Sequence, residues 1–230
     1  MKDPLETSAR AWDERQRSLG CTPRAVLFKG FPGWLNAWLH RRQVRFLLEN
    51  LPSRAERILD VGCGYGRISL AVKRARPNVA IEGVEFCDAF AEQFEKRIGR
   101  CYRVPIQEFR PEHRYDAILI VTLLMYLSEA DRSRVLAVLW QSLGPGGRLI
   151  CIEPAAEIVE LESRIFRRRE PADVTSGVRR FRMAELATCL ESLPGASLLD
   201  GSSIRLLPGI GSSSLHHCVA AERTTVRSTA

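Results

Sequence analysis

The chain has 230 residues, 45% of them hydrophobic, enough to bury one full core, and one domain with a modest cap is expected. Its opening residues carry no apolar leader and charges interrupt every later apolar run, so the expectation is a soluble, cytoplasmic protein without a membrane span. A net charge of +7 and a pI near 9.3 suit an anionic partner, although a general bias toward arginine produces the same balance without one. The clusters Arg41-Arg42, Arg167-Arg168-Arg169 and Arg179-Arg180 with Arg182 therefore carry more information than the total. Seven cysteines, an odd number with no C-x-x-C pair, argue for neither a disulfide framework nor a zinc site, and no metal is expected.

Residues 1–50 read as a helical preamble, in which Trp34, Leu35, Trp38 and Leu39 and then Val44, Phe46, Leu47 and Leu48 recur at helix spacing. From Arg57 onward short apolar runs alternate with longer helical stretches, the pattern of parallel βαβ units. Strands are predicted at 57–61, 79–85, 102–105, 115–121 and 148–153. Helices are predicted after Gly66 to about 76, from Asp88 to about 98 and from Ser128 to about 143, with Asp88 and Ser128 as N-caps. The run Gly144-Pro145-Gly146-Gly147 reads as a stop and turn. Two later runs, 198–207 and 213–221, are joined by Pro208, Gly209 and Gly211 and predict a closing antiparallel hairpin. Between them and the fifth strand, 155–182 breaks the rhythm with an acidic and then a basic stretch and reads as a cap inserted in a main domain of 51–223. Residues 224–230 read as a disordered tail.

The most informative stretch is Ile58-Leu59-Asp60-Val61-Gly62-Cys63-Gly64-Tyr65-Gly66-Arg67, an apolar strand running into glycines and then a helix. Such a loop lets backbone approach a ligand closely and aims free helix N–H groups at it. A dinucleotide fingerprint needs G-x-G-x-x-G, yet here the third glycine falls one place early and Arg67 occupies the reserved position. That spacing argues against NAD.

The stretch resembles motif I of class I S-adenosylmethionine-dependent methyltransferases, D/E-x-G-x-G-x-G, and the similarity continues in order to about Glu153. The resemblance implies an α/β, Rossmann-like fold: a seven-stranded, mostly parallel sheet, a C-terminal antiparallel hairpin edge and helices on both faces. It implies S-adenosylmethionine as cofactor, held by Asp60, Gly62, Gly64 and Gly66, with Val121 closing the fourth strand beside it. Glu85, ending the second strand, inherits the acid that binds the ribose hydroxyls, and Phe86 lies beside the adenine. Ile106 and Gln107 fall where the family meets the adenine edge. Gly64-Tyr65-Gly66-Arg67-Ile68, Ile106-Gln107-Glu108-Phe109 and Arg114-Tyr115-Asp116 are similar in particular to protein α-N-terminal methyltransferases. By that likeness Arg67 pairs with the cofactor's carboxylate, a task an arginine fork suits. After the fourth strand, however, Leu123-Leu124-Met125-Tyr126 replaces the tryptophan-containing substrate motif of those enzymes, so the likeness carries cofactor roles and not the substrate.

Methyl transfer from a sulfonium is an in-line displacement in which alignment and exclusion of water come first and a general base is optional. Of the four histidines, His113 falls at the far end of the sheet, and adjacent His216 and His217 must point to opposite strand faces, leaving at most one inward. His40 and Tyr126 are the catalytic candidates, and Trp34, Trp38 and Tyr126 are candidates to wall an aromatic or cationic acceptor. Residues 33–50 and 155–182 are expected to close over the transferable methyl as a lid. No N-P-P-Y motif and no Pro-Cys nucleophile is present. The expected activity is methylation of oxygen or nitrogen on a small molecule. The alternatives are a macromolecular acceptor, RNA or protein including protein N-termini, and a non-catalytic cofactor-binding homologue.

Overall fold

The computed structural model describes residues 4–27, 31–157, 178–210 and 213–224. The middle of the expected cap, 158–177, and the end of the expected tail, 225–230, lie outside the described residues.

Seven strands form one sheet in the order β3-β2-β1-β4-β5-β7-β6. The five that lead the chain, β1 (Arg57–Val61), β2 (Ala80–Val84), β3 (Cys101–Tyr102), β4 (Tyr115–Val121) and β5 (Leu143–Pro154), pair in parallel. Their apolar runs are nearly continuous because both faces of the sheet are covered, as parallel sheets require. β7 (Ser214–Arg223) enters antiparallel between β5 and the edge strand β6 (Ala196–Arg205).

One face packs against α3 (Gly33–Asn50), α4 (Arg67–Ala75) and α5 (Asp88–Arg97); Leu39, Leu47, Ile68, Val72 and Phe94 meet Ile58, Leu119 and Ile150 there. The other face carries α6 (Glu129–Gln141) and, near the C-terminus, α7 (Met183–Glu191), with Leu136, Trp140, Leu186 and Leu190 over Leu59, Ile118 and Val219. Each fully buried residue of this kind contributes roughly 1.5–3 kcal/mol relative to exposure. Ser128 caps α6, its hydroxyl accepting from the Asp131 N–H at 3.1 Å, whereas Cys87 takes the cap position of α5 and Asp88 moves into the first turn.

Several boundaries differ from expectation for local reasons. β3 ends at Tyr102, before Pro105, which has no N–H for a ladder and opens a turn closed by Glu108 N–H to Pro105 O at 2.9 Å. The Gly144–Gly147 run does not stop the chain before β5 but lies within it as an irregularity, since Tyr115 pairs with Leu143 and Ala117 already with Arg148. Gly147 is required there, because a Cβ would stand 2.9 Å from the Gly144 carbonyl oxygen. α7 was not anticipated, although Met183, Leu186 and Leu190 keep helical spacing and Glu185 caps the Arg182 N–H at 3.0 Å. His216 and His217 do point to opposite faces, yet both are buried, because β7 is an interior strand with both faces covered.

The preamble divides into three helices. α3 is a sheet-covering helix, and its end is tied down where Arg148 donates to the Asn50 carbonyl at 3.0 Å and Asn50 donates to Asp200 at 3.2 Å. α1 (Pro4–Leu19) and the short α2 (Pro23–Val26) instead reach the end of the sheet where the parallel strands finish. Arg15 joins them, donating to the carbonyls of Ala25, Arg24 and Leu27 at 2.9, 3.1 and 2.8 Å.

Candidate active site

The carboxyl end of β1 turns into the glycine loop, and Gly62 (φ 67°) and Gly66 (φ 81°) occupy left-handed backbone conformations that side chains resist. A Cβ at Gly62 would meet Leu123 at 3.1 Å, and one at Gly66 would meet Phe94 and Ile98 at 3.1 Å. The loop is stitched to β2, the Gly62 and Cys63 N–H groups donating to the Val84 carbonyl at 2.8 and 3.2 Å. Beneath it the Ser69 hydroxyl of α4 donates to the Asp60 carboxylate at 2.6 Å, so Asp60 braces the loop from below and is absent from the cleft wall.

Glu85 follows β2 and faces the loop. One carboxylate oxygen accepts from the Gly64 N–H at 2.9 Å and the other from the Cys87 N–H at 3.0 Å. Burial pushes its pKa up to about 7, although the N–H groups of Cys87, Gly64 and Phe86 favour the charged form. Gly62, Gly64, Glu85, Phe86, Ile106, Gln107, Val121 and Tyr126 line one cleft. Eight of the residues singled out in the sequence thus share one cleft.

Other contributors were not legible. Trp12 of α1 and Val26 of α2 line the cleft, and Trp12 meets Tyr126 edge-on at 5.8 Å between ring centroids and Phe90 at 6.3 Å. α1 is held to the β2 exit by the Cys87 thiol, which donates to Asp13 at 2.8 Å. After β4, Thr122 adopts φ 57°, and the turn that follows is organised by Glu153, whose buried carboxylate accepts from the N–H groups of Leu123, Leu124 and Met125 at 2.9, 2.7 and 3.3 Å. Burial raises the Glu153 pKa to about 8 in spite of these donors. A carboxylate at the end of an otherwise apolar strand was the available signal for this role.

The remaining candidates stand elsewhere. Trp34 is 69% exposed on the N-terminal turn of α3, and Trp38 packs against the hydrophobic core, so neither lines the cleft. His40 also lies outside the cleft wall: its Nδ1 accepts from Arg67 at 2.7 Å, and burial followed by the fields of Arg67, Arg41 and Arg74 lowers its pKa to about 4. A ring used as an acceptor by a guanidinium cannot serve as the acceptor's base in that arrangement. Arg67 opens α4 and is buried, donating also to Gln43 at 2.8 Å. His113 is exposed, its Nε2 3.8 Å from Glu82 on the amino side of the sheet.

Residues 58–147 match the model of a methyltransferase domain. A demethylmenaquinone methyltransferase of Deinococcus radiodurans is 30% identical over 130 residues, 52% of this chain and 52% of that protein. A tRNA1(Val) (adenine(37)-N6)-methyltransferase of Yersinia pestis is 32% identical over 112 residues, 43% of this chain and 45% of that protein. The chain thus spans about half the length of the curated relatives it matches. Among solved structures, an S-adenosylmethionine-dependent methyltransferase of Leishmania major shares the fold with a TM-score of 0.68 at 19% identity, covering 96% of this chain and 85% of that one. The N-methyltransferase NodS of Bradyrhizobium japonicum, in complex with S-adenosylhomocysteine, shares it with a TM-score of 0.66 at 13% identity, covering 94% and 99%. The domain match runs across the glycine loop, Glu85 and the adjoining strands, and the chain has the Rossmann-like fold of these S-adenosylmethionine-dependent methyltransferases.

Proposed function

We propose that this chain uses S-adenosylmethionine to methylate an oxygen or nitrogen atom of a small-molecule acceptor. The observation that carries the reading is a buried Glu85 carboxylate in a cleft that combines glycine-loop backbone with apolar walls. Such a carboxylate suits paired ribose hydroxyls, the Phe86 and Ile106 side chains suit the faces of an adenine, and Gln107 suits its polar edge. When bound, the cofactor's sulfonium supplies an electrophilic methyl for in-line displacement.

The chain's own residues orient and enclose. Glu153 fixes the turn that carries Leu123 and Tyr126, so the Tyr126 ring is presented to the cleft from a braced backbone. Trp12 and Val26 wall the same cleft and exclude water, and a wall built from α1 and α2 favours a compact acceptor. Exposed Arg41 and Arg42 on α3 favour a second reading, an anionic macromolecule. The two are separated by incubating the protein with methyl-labelled S-adenosylmethionine and a cell extract, then fractionating it. Label is expected in the low-mass fraction, and label confined to RNA or protein would overturn the small-molecule reading.

Glu85 gives a pH test. Its ionised form accepts hydroxyl hydrogens strongly at both oxygens, whereas its protonated form keeps one neutral, weaker acceptor and turns the other oxygen into a donor, so affinity for a nucleoside rises as pH rises through about 7. Between about pH 6 and 8 methylthioadenosine, which has no group titrating in that interval, should bind roughly tenfold more tightly at the upper end. Glu85→Gln should flatten that dependence, and a pH-independent wild type in calorimetry would remove Glu85 from the ribose site.

A further inference from the structure

A second cavity, of about 190 Å³, adjoins the cleft, since Ile106 and Gln107 line both. The rest of its lining comes from Phe109 and Arg110, which follow the turn after β3, and from α6. Phe109, Val135 and Leu139 are buried and Val138 is half-buried, whereas Arg110 and Arg134 are exposed. The cavity therefore has an apolar interior and two guanidiniums toward solvent. An apolar space of roughly 150 Å³ is enough to take up benzene, so one small ring or branched chain fits this interior.

The charges of the lining give the sign of the ligand's polar end. Two cations and no acid are among the lining residues. Arg110 is fixed in place, its Nη1 donating to the Gln107 and Phe109 carbonyls at 3.3 and 2.9 Å. Both bonds use one nitrogen, which leaves Nε and Nη2, an edge of the guanidinium that matches a carboxylate with two parallel bonds. A donor pair held in advance also lowers the ordering cost of binding. Arg134 is paired with Asp131, one turn earlier on α6, whose other oxygen accepts from the Ser128 hydroxyl at 2.8 Å. Asp131 lies outside the lining and offsets one of the two charges; among the described residues Arg110 has no acid of its own.

We infer that this cavity is a binding site for a small amphiphilic carboxylate, its ring or branched chain against Phe109, Val135 and Leu139 and its carboxylate on Arg110. The site goes beyond the methyltransferase reading, because it needs no cofactor and takes a different ligand. It shares only Ile106 and Gln107 with the cleft, so both spaces can be filled at once.

Benzoate is the probe, titrated into the full chain and followed by backbone amide NMR shifts. Saturable shifts should cluster at residues 106–110 and 134–139, with a dissociation constant of roughly a millimolar. Benzyl alcohol keeps the ring without the charge and acetate keeps the charge without the ring; each should bind about tenfold more weakly or worse. Arg110→Gln should weaken benzoate about tenfold and leave benzyl alcohol within about twofold. Val138→Phe, which places a ring in the cavity, should abolish binding of both, and Arg110→Gln decides the matter if that variant fails to fold. Benzoate should stay bound when methylthioadenosine is added. No saturable shift, equal affinity for benzoate and benzyl alcohol, unchanged benzoate affinity in Arg110→Gln, or displacement of benzoate by methylthioadenosine would each overturn the inference.

Discussion

Replacing Glu85 by alanine is expected to weaken S-adenosylhomocysteine binding by about a hundredfold or more while leaving the sheet assembled. Two effects add. The variant loses the acceptor for the ribose hydroxyls, each charge-assisted hydrogen bond being worth about 1.5–3 kcal/mol. It also releases the N–H groups of Gly64 and Cys87, which the carboxylate now holds at 2.9 and 3.0 Å, so the glycine loop and the start of α5 lose their common brace. The fold should survive, because Glu85 lies after β2 rather than in it and the core beneath the loop is built from Ile58, Val61, Val84 and Ile120. Calorimetry and a denaturant titration on the same preparation check both halves. Near-wild-type affinity in a folded variant would mean that the cleft's acid is not the nucleoside anchor.

Gly83→Ala should destabilise the protein by about 1–3 kcal/mol, the usual cost of forcing a methyl into a filled core. Gly83 is in β2, between β1 and β3, and an added Cβ would stand 2.6 Å from the Cys63 sulfur and 2.9 Å from two ring atoms of Phe94. Phe94 is fully buried and has no room to retreat. Cys63 belongs to the glycine loop, so displacing it should weaken nucleoside binding as well as lower the denaturation midpoint. Cys63→Ala should restore part of both in the double variant. If the single variant unfolds at the wild-type denaturant concentration, β2 is not packed as described.

The Gly83 contact also shows where sequence reading stopped. Ile81-Glu82-Gly83-Val84 reads as a strand whichever residue stands third, and only the approach of Cys63 and Phe94 explains why that residue has no side chain. The same holds for the aromatic wall. Trp34 and Trp38 have the helical spacing of a functional stripe, but α3 spends its apolar side on the sheet, and Trp12, alone in a charged helix, reaches the cleft.

The sequence by itself determined the β1–glycine loop–α4 unit, the succession of strands to β5 and the place of Glu85 at the end of β2. These are local or neighbouring features: hydrophobic period, turn chemistry and the short span of a βαβ unit decide them before any distant contact forms. Tertiary structure alone decided what Trp12, His40, Gln43 and Glu153 do. Their partners are Tyr126, Arg67 and the turn after β4, each 24 or more residues away along the chain, and side-chain direction there depends on how whole helices settle on the sheet. No sequence spacing encodes that settling, because it follows from burying α3 against one sheet face and hydrogen-bonding α1 to α2 through Arg15.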